Sequence, residues 1–390
     1  MTRLLAALFG RLPIGWLQLG HNRMRMAAAV VGVAFANVLV MMQLGILGAI
    51  GGTVDRSYAP VRADILVSAS DASTLSDGSP VARALMYRAL AVPGVAGAAP
   101  LYVGRADWTR PDGTTAVLHV YGLLPEAAGF AGPAAAAGLP LLTRADTVLL
   151  DRRIRSVRPG SLPNFDARAP LEFELQGLRL SAVGSFEVGG GITADGALIA
   201  SDQTFLRLFP RRIAGAPSHL LIDIAPGVDP AAVAAQVAAV LGRGLQLRPM
   251  AEAMAADRHY QITQRPVGVV FGFGVFIGLL VGLVIVYQVL STDVADHLRE
   301  YATFKAMGYP PRFFLSVIFE EALVLAVAGF VPGMALATLL YQILERASGL
   351  PVVMTPERPV LVFLGTVLAC TISGALATRR LAAADPADLY

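Results

Sequence analysis

Cysteine is nearly missing from this chain. Cys370 is the single one in 390 residues, so no intrachain disulfide and no cysteine-built metal site can form. Charge is scarce as well: 15% of residues are charged, against about 25% in soluble domains. The 31 Lys and Arg nearly balance the 28 Asp and Glu, and no run of one sign is long enough for a nucleic-acid arm. His21, His119, His219, His259 and His297 stand far apart, with no HExxH pair among them. A GxSxG elbow is absent. The GxxxxG of Gly184–Gly189 continues into Gly190 and Gly191 instead of Lys and Ser or Thr, which makes it a glycine-rich loop and not a phosphate cradle. These absences leave no catalytic, metal or cofactor site to be read from the sequence.

Apolar residues fill the space that charge vacates, at 55% of the chain. A membrane-spanning helix needs about 20 mostly apolar residues, and four segments qualify: 26–54, 266–292, 313–344 and 359–378. Arg3, Arg11, Arg23 and Arg25 precede the first. Arg299, Lys305 and Arg312 lie between the second and third, and Arg379 and Arg380 follow the fourth. The loop 345–358 balances Arg346 and Arg358 with Glu345 and Glu357. Short-loop Lys and Arg mark the cytoplasmic side, so both termini and the second loop are expected inside the cytoplasmic membrane and residues 55–265 outside. The first span is too long for a signal peptide, and Trp16 suits an interfacial position in a cytoplasmic amphipathic segment over 1–25. The expected fold class is a multi-pass membrane protein with four transmembrane α-helices and a large α+β extracytoplasmic domain between helices 1 and 2.

In that domain, strands are predicted at 64–68, 101–108, 115–121, 219–223 and 245–247, with helices at 80–91 and 229–241. Pro111-Asp112-Gly113 supplies a turn, and Asp229 caps the second helix. These pieces form a β-α-β-β unit over 55–121 completed by β-α-β over 216–250. Residues 122–215 then read as an inserted lobe, with a hairpin alternating over 171–176 and 178–184 and an Ala/Gly loop at 131–138.

Two membrane features stand out. The second span carries Gly268, Gly272, Gly274, Gly278 and Gly282. Glycines at i, i+4, i+8 open one helix face to a neighbouring backbone, either inside the protomer or across a homodimer. Glu320 and Glu321 sit two turns into the third span. They are read as interfacial or paired carboxylates, or as part of an ion or substrate path.

The loop 293–312 alternates polar Asp293, Asp296, His297, Arg299, Glu300 and Lys305 with apolar Val294, Leu298, Tyr301 and Phe304. Gly308 and Pro310 then stop the pattern, so a short amphipathic helix is predicted. Geometry alone leaves it either a plain connector or a docking element.

Residues 297–314, HLREYATFKAMGYPPRFF, are similar to the cytoplasmic loop of MacB/FtsX-type ABC transporter permeases. Closer still to the DevC branch of that superfamily are PIGWLQL at 13–19, GVAFANVLVMMQLG at 32–45, YQVLSTDVADHLREYATFKAMGY at 287–309 and AADPADLY at 383–390. The resemblance covers both membrane portions; the outer domain resembles the family only in layout. It implies a homodimeric transport subunit with no enzyme activity of its own, and ATP and Mg held by a separate ABC ATPase subunit. It also implies a periplasmic domain of a porter-like lobe (55–121 and 216–250) and a sabre-like lobe (122–215). A periplasmic adaptor and a TolC-like outer-membrane channel are the further partners it implies for tripartite efflux, with lipid or lipoprotein extraction and FtsX-like signalling as alternatives. On this resemblance Asp293, Asp296, His297, Arg299, Glu300, Tyr301, Lys305 and Gly308 would meet the ATPase.

Overall fold

The computed structural model describes residues 23–110, 113–155, 157, 162–296, 303 and 307–383. It divides into two compact units. The first takes in residues up to 47, 269–344 and from 352 onward, and the second takes in 48–268 with 345–351. The expected N-terminal amphipathic segment and the last seven residues of the tail lie outside the described residues.

Among the described residues four helices are long and apolar enough to cross a membrane: α1 (Arg23–Tyr58), α6 (Pro266–Asp296), α7 (Pro311–Ser348) and α8 (Glu357–Ala383). Each is longer than the apolar stretch that predicts it, because polar turns extend the helix past the apolar core. In the first unit one cluster joins Ala29 and Val33 of α1 to Val286, Leu290 and Val294 of α6, Ile318 and Leu325 of α7, and Cys370 of α8. Large apolar side chains cover the outside. Phe273, Phe276, Leu280 and Val284 of α6 and Val360, Leu364 and Leu368 of α8 are exposed, a surface that water would penalise and lipid accepts.

The second unit is built on one nine-stranded sheet, in the order β5-β6-β4-β7-β3-β2-β8-β1-β9. Its strands are β1 (Ile65–Ala69), β2 (Val95–Thr109), β3 (Thr115–Leu123), β4 (Thr147–Asp151), β5 (Leu171–Leu175), β6 (Leu178–Phe186), β7 (Gly196–Ser201), β8 (His219–Ile224) and β9 (Leu245–Pro249). Its helices are α2 (Ala84–Leu90), α3 (Asp202–Leu208), α4 (Pro230–Leu241) and α5 (Met250–Thr263). In β2-β8-β1-β9 every neighbouring pair is antiparallel. With α2 following β1 and α4 following β8, this half is a split β-α-β-β-α-β arrangement. Period-two alternation sends Ile65 and Val67 to the α2/α4 side, beside Met86, Val233 and Val237, while Leu66 faces the opposite core. Asp229 caps α4 by accepting from the Ala231 N–H at 3.1 Å, with Pro230 opening the helix.

The other half is the insertion, and it is mixed: β3 runs parallel to β7 and β4 parallel to β6. Three features differ from the sequence reading. The strand expected at 101–108 is fifteen residues long. Its first part (Val95–Leu101) pairs with β8 and its second (Tyr102–Thr109) with β3. β3, expected to complete the unit over 55–121, therefore lies in the insertion's part of the sheet, because it pairs antiparallel with the far end of β2, up to Thr109 opposite Thr115; Pro111 and Asp112 of the expected turn lie outside the described residues. The Ala/Gly stretch 131–138 is no free loop. It leads into a 3-10 segment (Ala136–Thr143) whose Leu139 and Leu142 are fully buried.

Candidate functional site

Helix α1 lies against α6 along the predicted glycine stripe. A Cβ placed on Gly274 would stand 2.6 Å from Cδ of Gln43, one on Gly278 2.9 Å from Cγ2 of Val40, and one on Gly282 3.1 Å from Cβ of Ala36. These are contacts of bare backbone on side chains, tighter than any larger residue allows. Two members of the glycine set do other work. Gly268 closes against the Gln261 and Ile262 carbonyl oxygens, at 2.3 and 2.4 Å from an added Cβ, so it permits the tight turn from α5 into α6. A Cβ on Gly272 would meet nothing within 4 Å among the described residues. A second face of α1 receives α7: an added Cβ would lie 2.5 Å from Val33 at Gly329 and 2.9 Å from the Ala34 oxygen at Gly333. Tyr341 of α7 donates to the Met41 carbonyl, and Thr366 of α8 donates to Oδ1 of the buried Asn37 at 2.5 Å. α1 is the centre post of the first unit.

Both Glu320 and Glu321 are fully buried in α7, near Ile318, Ala322 and Leu325 of the shared α1/α6/α7/α8 cluster. At the end of α6, Asp296 is exposed and ion-paired with Arg25 of α1. Asp293 lies in α6 with its side chain outside the described residues, and His297, Arg299, Glu300, Tyr301 and Lys305 also lie outside them. Gly308 adopts φ +89° directly after the Met307 N–H donates to the Thr303 carbonyl at 3.0 Å, the left-handed stop that its sequence context predicts.

In the second unit the last turns of α1 are gripped from several directions. Thr53 Oγ1 accepts from the Ile192 N–H at 3.0 Å, and Arg56 donates to the Gly190 carbonyl. The Tyr121 hydroxyl donates to the Ser57 carbonyl at 2.7 Å. On another side Arg258 of α5 pairs with Asp55 at 2.5 Å. The glycine-rich loop is thus a socket. An added Cβ on Gly190 would stand 2.2 Å from the Asp195 carbonyl oxygen, and one on Gly191 2.5 Å from Cγ2 of Thr53. Asp151 holds the loop's other end, accepting from the Val188 N–H at 3.2 Å and the Gly189 N–H at 2.8 Å. Burial raises the Asp151 pKa, and these backbone donors oppose the rise. Gly190→Val is expected to displace the 188–194 loop and cost about 2 kcal/mol by overpacking. Hydrogen exchange over 188–194 and 49–57 should then accelerate together; loss of protection in the loop alone would break the socket assignment.

Helix α5 makes the second grip. Asp257, 4% exposed, accepts from the Leu75 N–H at 3.0 Å and from Nε2 of Gln261 at 3.4 Å. The Leu75 carbonyl in turn accepts from Nε2 of His219 at 2.9 Å, whose Nδ1 lies 2.8 Å from the Ser68 hydroxyl. Arg265 pairs with Asp77 of the same loop at 3.2 Å. Burial pushes the Asp257 carboxyl up to about 6 and the His219 imidazole down to about 4. None of Thr53, Arg56, Asp257 or His219 was marked by sequence reasoning. Only the glycine run at 189–191 carried a signal, and it reads as flexibility when its partner is unknown. Among the described residues no group of three His, Cys, Asp or Glu is placed to hold a metal ion.

The part of the chain holding α6, α7 and α8 has a known counterpart. Residues 272–386 match the FtsX-like permease C-terminal family. The FtsX-like match thus takes in most of α6 together with the loop after it, α7 and α8. Two solved structures align with about half of the chain. The extracellular domain of the noncanonic ABC-type transporter YknZ from Gram-positive bacteria aligns at 9% identity and TM-score 0.34, over 48% of this chain and 98% of that one. The periplasmic region of MacB from Actinobacillus actinomycetemcomitans aligns at 9% identity and TM-score 0.33, over 50% and 90%. No curated protein matches the chain.

Proposed function

We propose that this chain is the permease subunit of an ABC exporter, coupling a separate cytoplasmic ATPase to a moving extracytoplasmic domain. The observation that carries the reading is the double engagement of α1. Within the first unit it is packed against the α6 glycine stripe. Within the second unit its last turns fill the glycine socket and hold Arg258 of α5. One unbroken helix (Arg23–Tyr58) supplies both sets of contacts, so a displacement at either end has no loop in which to dissipate. The FtsX-like match over 272–386 and the resemblance of the α6–α7 loop to permease coupling loops support the same reading.

In this mechanism ATP and Mg stay on the partner, and the chain performs no bond chemistry. The ATPase grips the segment around 297–305 and shifts it, and α6 and α1 carry the shift outward. Substrate then leaves from the extracytoplasmic side through an adaptor and an outer-membrane channel, with the permease as a homodimer in the inner membrane and both termini cytoplasmic. The closeness to the DevC branch supports the tripartite version over lipid extraction or signalling. Arg299→Glu combined with Lys305→Glu should abolish co-purification of the ATPase from a membrane extract while the permease itself is still recovered folded and monodisperse. Undiminished co-purification would remove the coupling role from this loop.

A further inference from the structure

Two charges of opposite sign join α1 to α6. Arg25 of α1 reaches over to α6, where one guanidinium nitrogen pairs with Asp296 and the other donates to the Val289 carbonyl at 3.3 Å. Arg25 is the more enclosed partner, its side chain 22% exposed against 60% for Asp296, so the clasp is anchored in α1 and reaches outward to α6. One α1 side chain thus holds α6 at two points seven residues apart.

We propose that Arg25 is a positioning residue which, through Asp296, fixes the start of the coupling segment to the base of α1. Asp296 then serves this clasp and is not an ATPase contact. The inference rests on the coupling reading above for its consequence, though not for the clasp itself. Without the clasp, α6 could lift away from α1 at that end, and a push on the following loop would be absorbed there.

The test uses the full chain in lipid nanodiscs, with and without the ATPase that co-purifies with it. Arg25→Gln and Asp296→Asn should each speed hydrogen exchange in 286–296 about fivefold, the size expected for losing a partly shielded ion pair. The double reversal Arg25→Asp with Asp296→Arg should restore most of that protection, and Arg25→Lys should fall between. With the ATPase present, each single variant should still capture it within about twofold. The maximal ATP turnover of the complex should drop while the KM for ATP stays unchanged, and the double reversal should recover turnover. A purely structural role would not give that kcat-specific loss and recovery. Unchanged exchange in both single variants would overturn the clasp. Loss of capture in Asp296→Asn alone, without recovery in the double reversal, would make Asp296 an ATPase contact and overturn the proposal. If the unaltered chain captures no ATPase, the coupling reading fails, and the exchange arm still decides the clasp.

Discussion

Gly278→Leu should leave the protein unable to hold α6 against α1. A single added Cβ would stand 2.9 Å from Cγ2 of Val40 and 3.6 Å from the Val40 backbone nitrogen. The β-branched Val40 has little rotamer freedom in a helix, so the backbone has to give. Overpacking of this kind costs about 1–3 kcal/mol at a single site, and a leucine adds three further carbons to the same gap. The stripe is only as tolerant as its closest member, so loss at Gly278 should undo Gly274 and Gly282 as well. Gly272 supplies the control, since a Cβ there meets nothing within 4 Å. In nanodiscs, Gly278→Leu should lower the melting temperature sharply or abolish recovery of monodisperse protein, and Gly272→Leu should do neither. Equal losses at both positions would mean that the stripe does not pack inside the protomer.

The second large effect is acid sensitivity of the extracytoplasmic unit. His119 and His219 are both buried, and burial holds each well below the usual 6.5, at about 4. A depressed folded value means that the unfolded chain takes up the proton first. Stability is therefore intact above pH 6.5 and is lost as pH falls towards 4, by about 2.5 kcal/mol per histidine at pH 4.5. Asp257 works the other way. Its folded value is raised from 3.8 to about 6, so it is destabilising at pH 7, and acidification to pH 4.5 returns about 2 kcal/mol. The net loss over that interval is about 3 kcal/mol. His119→Phe isolates one contribution. Among the described residues Nδ1 of His119 has only the Tyr121 hydroxyl, at 3.3 Å, and its buried Nε2 has no hydrogen-bond partner, so an apolar ring fits the site. The variant should match or exceed the parent at pH 7 and lead it by a further 2.5 kcal/mol or so at pH 4.5, measured by urea titration of the intact protein in nanodiscs. Parallel pH profiles for the two proteins would refute the assignment.

Much of this architecture was legible because the membrane imposes a coarse rule. Twenty uncharged residues declare a span whatever they pack against, so four helices could be placed from runs such as Pro266–Thr292 without any tertiary knowledge. The stripe Gly274, Gly278 and Gly282 was equally plain, since a bare helix face signals a close neighbour. Which neighbour was not plain: Val40 and Ala36 carry no mark that distinguishes them from any other apolar residue of α1. The split β-α-β-β-α-β half could be followed because turn residues bracket its short apolar strands and Asp229-Pro230 announces a helix. The insertion resisted. β4 and β7 are buried on every residue, and such strands lose the alternation that reveals them. The joints were invisible for a different reason. Thr53, Arg56 and Asp257 act through partners more than 130 residues away, and nothing local to them differs from an ordinary polar position.

The long strand β2 has a mechanical consequence. It carries ladder bonds to β8 over its first half and to β3 over its second, so the two halves of the sheet share one uninterrupted backbone of roughly 50 Å at about 3.3 Å per residue. No flexible loop separates those halves along β2, and neither can swing freely on that line. Relative rotation has to be taken up as added or reduced twist along β2, against the twist natural to β-strands. Such a member behaves as a torsion bar. It yields to a load, stores part of the work as strain, and springs back when the load is removed.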